Sequence, residues 1–432
     1  MARRLAGKRT TKTFGIYMFG NTLDRALPFL MLPILTRWLS ADDYGIIGTF
    51  IVIQTQLMLA ISMAVPGAIA RAWIDKGSNF NDEDFSTYIF NGILTNVLLF
   101  LLVGAILLIN IKYISSTLHI DGQIIIIILV TTFLSAIHTI KARLWHIQQK
   151  PKKFTTYQVT RTLLNFGLSV FLLLFLWMDW RGRIGGVVLT EALSAIACFY
   201  LLVREEKIRM IFNKDYFFDI LKFGLPLYPH SLSMLVITGA DKILINHMEG
   251  LSSLGTYNVA YSVANIILFI AASVDFSVTP WIYQKLKSAT QKDKEKVVQF
   301  IYTIIIIYFL IAIFIGIISE PLINLIVGKN FRDASNYLMV LSIAHAFFAA
   351  YRLFTIPISF SKRNSFLIRS STMSAVIIIL INLILISHLG TIGAAWGTLF
   401  GYSFLCLSTW YSSHKAHPLP WLGIFFPMKE AP

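Results

Sequence analysis

Apolar runs of about 20 residues recur along the whole of this 432-residue chain, a pattern incompatible with an ordinary soluble core. At 1.5 Å per residue, each run is long enough to cross a hydrocarbon layer about 30 Å thick. Backbone polar groups in lipid must be satisfied within the segment, so runs of this length are read as helices. Taken between polar breaks, they give twelve spans, near 14–37, 44–72, 86–109, 123–146, 155–178, 184–203, 217–247, 254–284, 297–319, 335–360, 366–388 and 390–412. The longer ones are broken at Pro66, Pro226, Pro229, Pro280 and Pro357. Only 14% of residues are charged, whereas soluble domains average about 25%. The expected class is an all-α polytopic membrane protein.

The basic residues set an orientation. With the N-terminus placed in the cytoplasm, 27 of the 37 Lys and Arg fall on the cytoplasmic side and 6 on the other, with 4 inside spans. One missed span would scramble that alternation, so both termini are expected in the cytoplasm. The net charge of +15 follows from the same asymmetry, and no nucleic-acid partner is needed to explain it. The basic start "MARRLAGKRTTK" runs into a stretch too long for a cleavable signal and lacks a small-residue cleavage site. Cys198 and Cys406 fall inside spans with no metal-ligand spacing, and read as packing residues.

The chain also repeats. "LSADDYGIIGTF" (39–50) matches "EGLSSLGTYNVA" (249–260), "KPKKF" (150–154) matches "KRNSF" (362–366), and "IGGVVLT" (184–190) matches "IGAAWGT" (392–398), at offsets of 210, 212 and 208. Three nearly equal offsets in the same order indicate a six-plus-six duplication. Six is even, so the halves insert in the same orientation as parallel repeats. The expected organisation is a bundle over 1–203, a charged linker at 204–216 along the cytoplasmic interface, and a second bundle over 217–432.

Several charges sit where hydrocarbon should be. Asp24 and Arg25 lie mid-span in "NTLDRALPFLMLPILTRWLS", and neighbouring helical positions point about 100° apart, so each needs a partner elsewhere or water. Asp241 and Lys242 repeat the theme in the second half, and Arg161, Glu191, His230, Asp275, His345 and Arg352 complete the set, with Arg71 at the inner end of the second span. Guanidinium groups bind phosphate bidentately and stay charged, so Arg25, Arg161, Lys242, Arg352 and Arg71 are substrate-binding candidates, with Asp24 beside them. Asp24, Glu191, Asp241, Asp275, His230 and His345 are candidates for a coupled proton or Na⁺. Interhelical salt bridges are the competing reading for the charges, packing for His230, and snorkelling for Arg71 and Arg161.

The stretch "NTLDRALPFLMLPILTRWLSADDYG" resembles the opening of bacterial polysaccharide flippases, the Wzx-type O-antigen and exopolysaccharide repeat-unit transporters of the multidrug/oligosaccharidyl-lipid/polysaccharide exporter superfamily. That resemblance implies two six-helix bundles forming a V around a central cavity. It implies a cargo of oligosaccharide on undecaprenyl pyrophosphate, moved from the cytoplasmic to the periplasmic leaflet of the inner membrane by alternating access. Ion gradients or membrane potential would drive it, with no other cofactor, and a polysaccharide polymerase and chain-length regulator would be its partners. No "GxxxxGK[ST]" loop occurs, in keeping with a drive other than ATP. The alternatives are an ion-coupled small-molecule exporter of the same superfamily, a membrane glycosyltransferase or polymerase, and a scaffold. The outer connections are short for a polymerase, and a scaffold has no need of midplane charges.

Overall fold

A computed structural model describes residues 20, 29–62, 65–76, 81–176, 178–288 and 290–421. Among them the chain is predominantly helical. The first half holds α1 (Phe29–Trp38), α2 (Ala41–Ser62), α3 (Val65–Ile74), α4 (Asp82–Ile109), α5 (Ile111–Leu118), α6 (Gly122–Ile147), α7 (Pro151–Phe175), α8 (Asp179–Glu206) and α9 (Lys214–Gly224). The second holds α10 (Tyr228–Ala264), α11 (Ile266–Ser288), α12 (Gln291–Ile317), α13 (Ser319–Ile326), α14 (Ser335–Phe360), α15 (Ser365–Leu389) and α16 (Thr391–Ala416). Nine helical stretches among the described residues are long and apolar enough to cross a membrane. The protein is a multi-pass membrane protein.

Helix starts follow local chemistry. In the "LSADDYG" stretch Ser40 Oγ accepts from the Asp43 amide at 3.1 Å, and Asp43 Oδ2 accepts from the Ser40 amide at 3.0 Å. This capping box satisfies amides that the first turn of α2 leaves open. Asn81 and Asp84 build the same box at α4, and Thr290 caps α12 on the Asp293 amide. Gly250, at φ 85°, breaks α10 where a side chain would be strained.

Contacts divide the chain into two compact units, residues 1–232 and 233–432. In the first, α2 packs on α6, and α8 packs on both α6 and α7, while α3 lies against α4, α6 and α9. In the second, α14 and α15 both pack on α16, with α11 and α12 against α14. Close helix approach depends on small residues. A Cβ at Gly186 would stand 2.6 Å from the Ser169 backbone nitrogen, and one at Gly393 only 2.0 Å from the Leu385 carbonyl oxygen. The α7–α8 and α15–α16 hairpins, which contain the repeated "IGG" and "IGA" stretches, are therefore both glycine-seamed. The division between units falls inside α10. The stretch 204–224 belongs to the first unit: Asn91 on α4 donates to the Ile211 carbonyl and accepts from the Asn213 amide, and Arg209 pairs with Glu83.

Candidate functional site

Within the first unit a cavity of about 830 Å³ opens between α2, α3, α6, α7 and α8. That is ample for a small-molecule head group. Each wall presents one helical face: Gln54, Thr55 and Met58 from α2, Ser135, His138 and Thr139 from α6, Arg161 and Asn165 from α7, and Arg183, Val187 and Glu191 from α8. The spacings of three and four bring these side chains together on one face.

Glu191 is the anchor of the site and is only 2% exposed. Its Oε1 accepts from Arg161 Nη2 at 2.6 Å, and its Oε2 accepts from Ser135 Oγ at 2.8 Å and lies 2.5 Å from His138 Nε2. Burying a carboxylate this deeply is costly unless it is paired and hydrogen-bonded, and here both oxygens are. Arg161 keeps 31% of its side chain exposed. Arg183 Nη1 donates to Asn165 Oδ1 at 2.7 Å and Ser169 Oγ at 2.8 Å. Both acceptors are neutral, so its positive charge is oriented without being cancelled. Arg143 also lines the cavity, and neither it nor Arg183 makes an ion pair among the described residues. Among the described residues, three guanidinium groups and one carboxylate thus line the cavity.

The other described candidates from the sequence fall elsewhere. Asp24 and Arg25 lie outside the described residues. Arg71 pairs with Asp219 on α9, which also accepts from the Tyr88 hydroxyl at 2.7 Å, and its guanidinium stacks 4.7 Å over Phe223. In the second unit Asp241 accepts from the Tyr257 hydroxyl at 2.7 Å and Thr398 Oγ1 at 3.2 Å. Lys242 Nζ sits 3.5 Å from Asp241 and 3.5 Å from the Tyr261 ring centroid, and donates to the Thr238 carbonyl. Adjacent charges do meet here, since the flexible lysine stem folds back along its own helix. His345 is fully buried nearby, with Nδ1 2.7 Å from the Leu341 carbonyl and its ring edge-on to Tyr261. Arg352 Nε donates to Asp275 at 2.6 Å, and His230 is half-buried on the first turns of α10. Among the described members of the predicted set, only Arg161 and Glu191 line the cavity of the first unit.

Three residues were not recognised from sequence. His138, two turns before the basic end of α6, carries no motif. Arg183 lies just outside the span expected at 184–203, but α8 begins at Asp179 and carries it into the cavity wall. Lys141, toward the end of the span expected at 123–146, is fully buried between Glu205 at 2.9 Å and Glu206 at 2.8 Å, tying α6 to α8.

The fold defines a helical, multi-pass membrane protein. The sequence profile of the family described as "Polysaccharide biosynthesis protein" matches residues 10–286, and the chain belongs to that family. Among its relatives is protein 1 of the Lsg locus of Haemophilus influenzae, 23% identical over 371 residues, covering 84% of this chain and 88% of that protein. Another is the membrane protein MJ1375 of Methanocaldococcus jannaschii, 22% identical over 406 residues, covering 88% and 92%. Two solved structures have the same fold at 14% identity. One is the lipid II flippase MurJ in an inward closed conformation, with TM-score 0.74, covering 92% of this chain and 87% of that chain. The other is an inward-facing multidrug resistance MATE family transporter of the MOP superfamily, with TM-score 0.70, covering 92% and 94%.

Proposed function

We propose that this protein is a flippase for undecaprenyl-pyrophosphate-linked oligosaccharide repeat units, of O-antigen or exopolysaccharide type. It carries them from the cytoplasmic to the periplasmic leaflet of the inner membrane by ion- or potential-driven alternating access, with both termini in the cytoplasm. The observation that carries this reading is the excess of arginine over carboxylate in an intramembrane cavity. A sugar head group bearing pyrophosphate cannot cross hydrocarbon bare, and oriented guanidinium groups replace its hydration. The Asn, Gln, Ser and Thr side chains on the same walls suit sugar hydroxyls. Membership of a polysaccharide biosynthesis family supports the cargo class, and the fold shared with a lipid II flippase supports the action. We read the protein as a carrier rather than a catalyst, working beside a polymerase and a chain-length regulator.

Deletion tests this directly. Lipid-linked repeat units should still be made but remain on the cytoplasmic leaflet, and the intact gene should restore surface polysaccharide. Loss of the units themselves would point to an enzyme of assembly. Unchanged surface polysaccharide would point to an exporter of another cargo.

A further inference from the structure

Helices α6 and α8 wall the arginine-lined cavity with one face each, and with another they form a second, entirely different depression of about 540 Å³. Ser135, His138 and Thr139 turn to the first, whereas Leu134 and Ile137 turn to the second, where Ile196, Phe199, Tyr200 and Val203 of α8 meet them. Among the described residues, no charged side chain lines this groove. Ile196 is 67% exposed and Tyr200 59%, so the groove opens to the surroundings of the bundle, which in a membrane protein are lipid. It is also preformed. Ser135 and His138 tie α6 to Glu191 above it, and Lys141 ties α6 to Glu205 and Glu206 below it. A ligand entering there does not have to part the two helices, so little of its binding is spent on ordering them.

Length and charge say what the groove holds. Ile196 and Arg204 are eight residues apart, about 12 Å of helix, close to half of a hydrocarbon layer about 30 Å thick. The groove is therefore as long as one leaflet. At its end Arg204 Nη1 lies 3.5 Å from the Tyr200 hydroxyl, which places a guanidinium where the ring leaves apolar surroundings. Arg204 is exposed and makes no ion pair among the described residues, while the neighbouring Glu205 and Glu206 are taken up by Lys141 and Lys153. Lys207, exposed just past the end of α8, adds a second cation; it lies within electrostatic reach of Asp82, which Lys76 already holds at 2.7 Å. We propose that this is a binding site for one glycerophospholipid with a net negative head group, an acyl chain lying in the groove and the phosphate on Arg204 with Lys207 beside it. A guanidinium donates two parallel hydrogen bonds to a phosphate, and each cation near the lipid surface favours a net negative head group by about 5-fold. A polyprenyl chain would overrun a groove one leaflet long. The site stands independently of the cargo proposed for the cavity.

The test places the full chain in phosphatidylcholine nanodiscs with equal trace amounts of phosphatidylglycerol or phosphatidylcholine, each carrying a diazirine near the end of one acyl chain. After irradiation, adducts are located by peptide mass spectrometry. Phosphatidylglycerol should label the wild type chiefly around Leu134, Ile137 and Ile196, about 25-fold more than the phosphatidylcholine probe does, the product of two 5-fold preferences. Arg204→Gln and Lys207→Gln change exposed side chains; each should cut the preference about 5-fold, and the double variant should abolish it. Val203→Trp fills the groove from its exposed edge and should remove labelling there by both probes. Equal labelling by the two probes would overturn the inference, as would a preference that survives the double variant or labelling that persists in Val203→Trp. So would labels spread evenly over the exposed apolar residues of α4, α12 and α15. Stronger competition by a polyprenyl phosphate than by unlabelled phosphatidylglycerol would assign the groove to a lipid carrier and overturn it as well.

Discussion

At the scale of single residues, the distinction that matters is between charges that are cancelled and charges that are only held in place. Arg352 and Lys242 spend their charge on Asp275 and Asp241 within the second unit, whereas Arg183 is held by an amide oxygen and a hydroxyl. Hydrogen bonds to charged groups are worth about 1.5–3 kcal/mol, so Arg183→Ala should lower export of surface polysaccharide roughly 10- to 150-fold while insertion into the membrane is unchanged. Arg183→Lys keeps the charge without the fork and should recover only part of it. Quantifying polysaccharide against membrane-inserted protein checks both, and full activity in Arg183→Ala would remove it from the site. Glu191 and Arg161 were legible as charges inside apolar runs. Arg183 was not, because three charged residues between Asp179 and Arg183 look like a loop until Gly182 and Gly186 are seen to seat α8 against α7.

At the scale of elements, hydropathy made the helices readable, but their ends and seams depend on particular side chains. The Ser40–Asp43 box starts α2, and Ser40→Ala should cost about 1 kcal/mol, seen as a lower unfolding temperature in detergent. An unchanged midpoint would show that the box does not limit stability. The α7–α8 seam is tighter: the Cβ position at Gly186 lies 2.3 Å from Ser169 Oγ and 2.6 Å from the backbone behind it. Gly186→Leu should cost at least about 1–3 kcal/mol and reshape the cavity wall that carries Arg183 and Glu191. Thermal stability and export should fall together; stability falling alone would mean that the wall tolerates the shift. Periodicity also held a signal for the site, since Arg183, Val187 and Glu191 recur every four residues and Ser135, His138 and Thr139 fit one helical face. A lone histidine on an apolar helix gives no such signal until the facing carboxylate is placed.

At the scale of the whole molecule, eleven of the twelve apolar segments read from sequence fall mainly on helix among the described residues, the first lies largely outside them, and nine of the described stretches are long and apolar enough to cross a membrane. The prolines act as expected at Leu225–Leu227, a 3-10 turn, whereas Pro280 and Pro357 lie inside α11 and α14. Three-dimensional partners decided what hydropathy could not: which intramembrane charges would meet each other and which would meet an open cavity. That difference yields the central claim, that the first unit holds a wet and positively charged chamber. Thr55, an exposed residue of the cavity wall, offers a direct probe, since both native cysteines are buried. Thr55→Cys should be treated with an anionic sulfonate and a cationic ammonium methanethiosulfonate, each rate normalised to a free thiol in water. The account predicts an anionic-to-cationic preference of roughly tenfold or more, as expected where one sign of charge is focused in a cleft, and a smaller one once Arg183→Ala is added. Silence toward both reagents, or a preference for the cation, would contradict it.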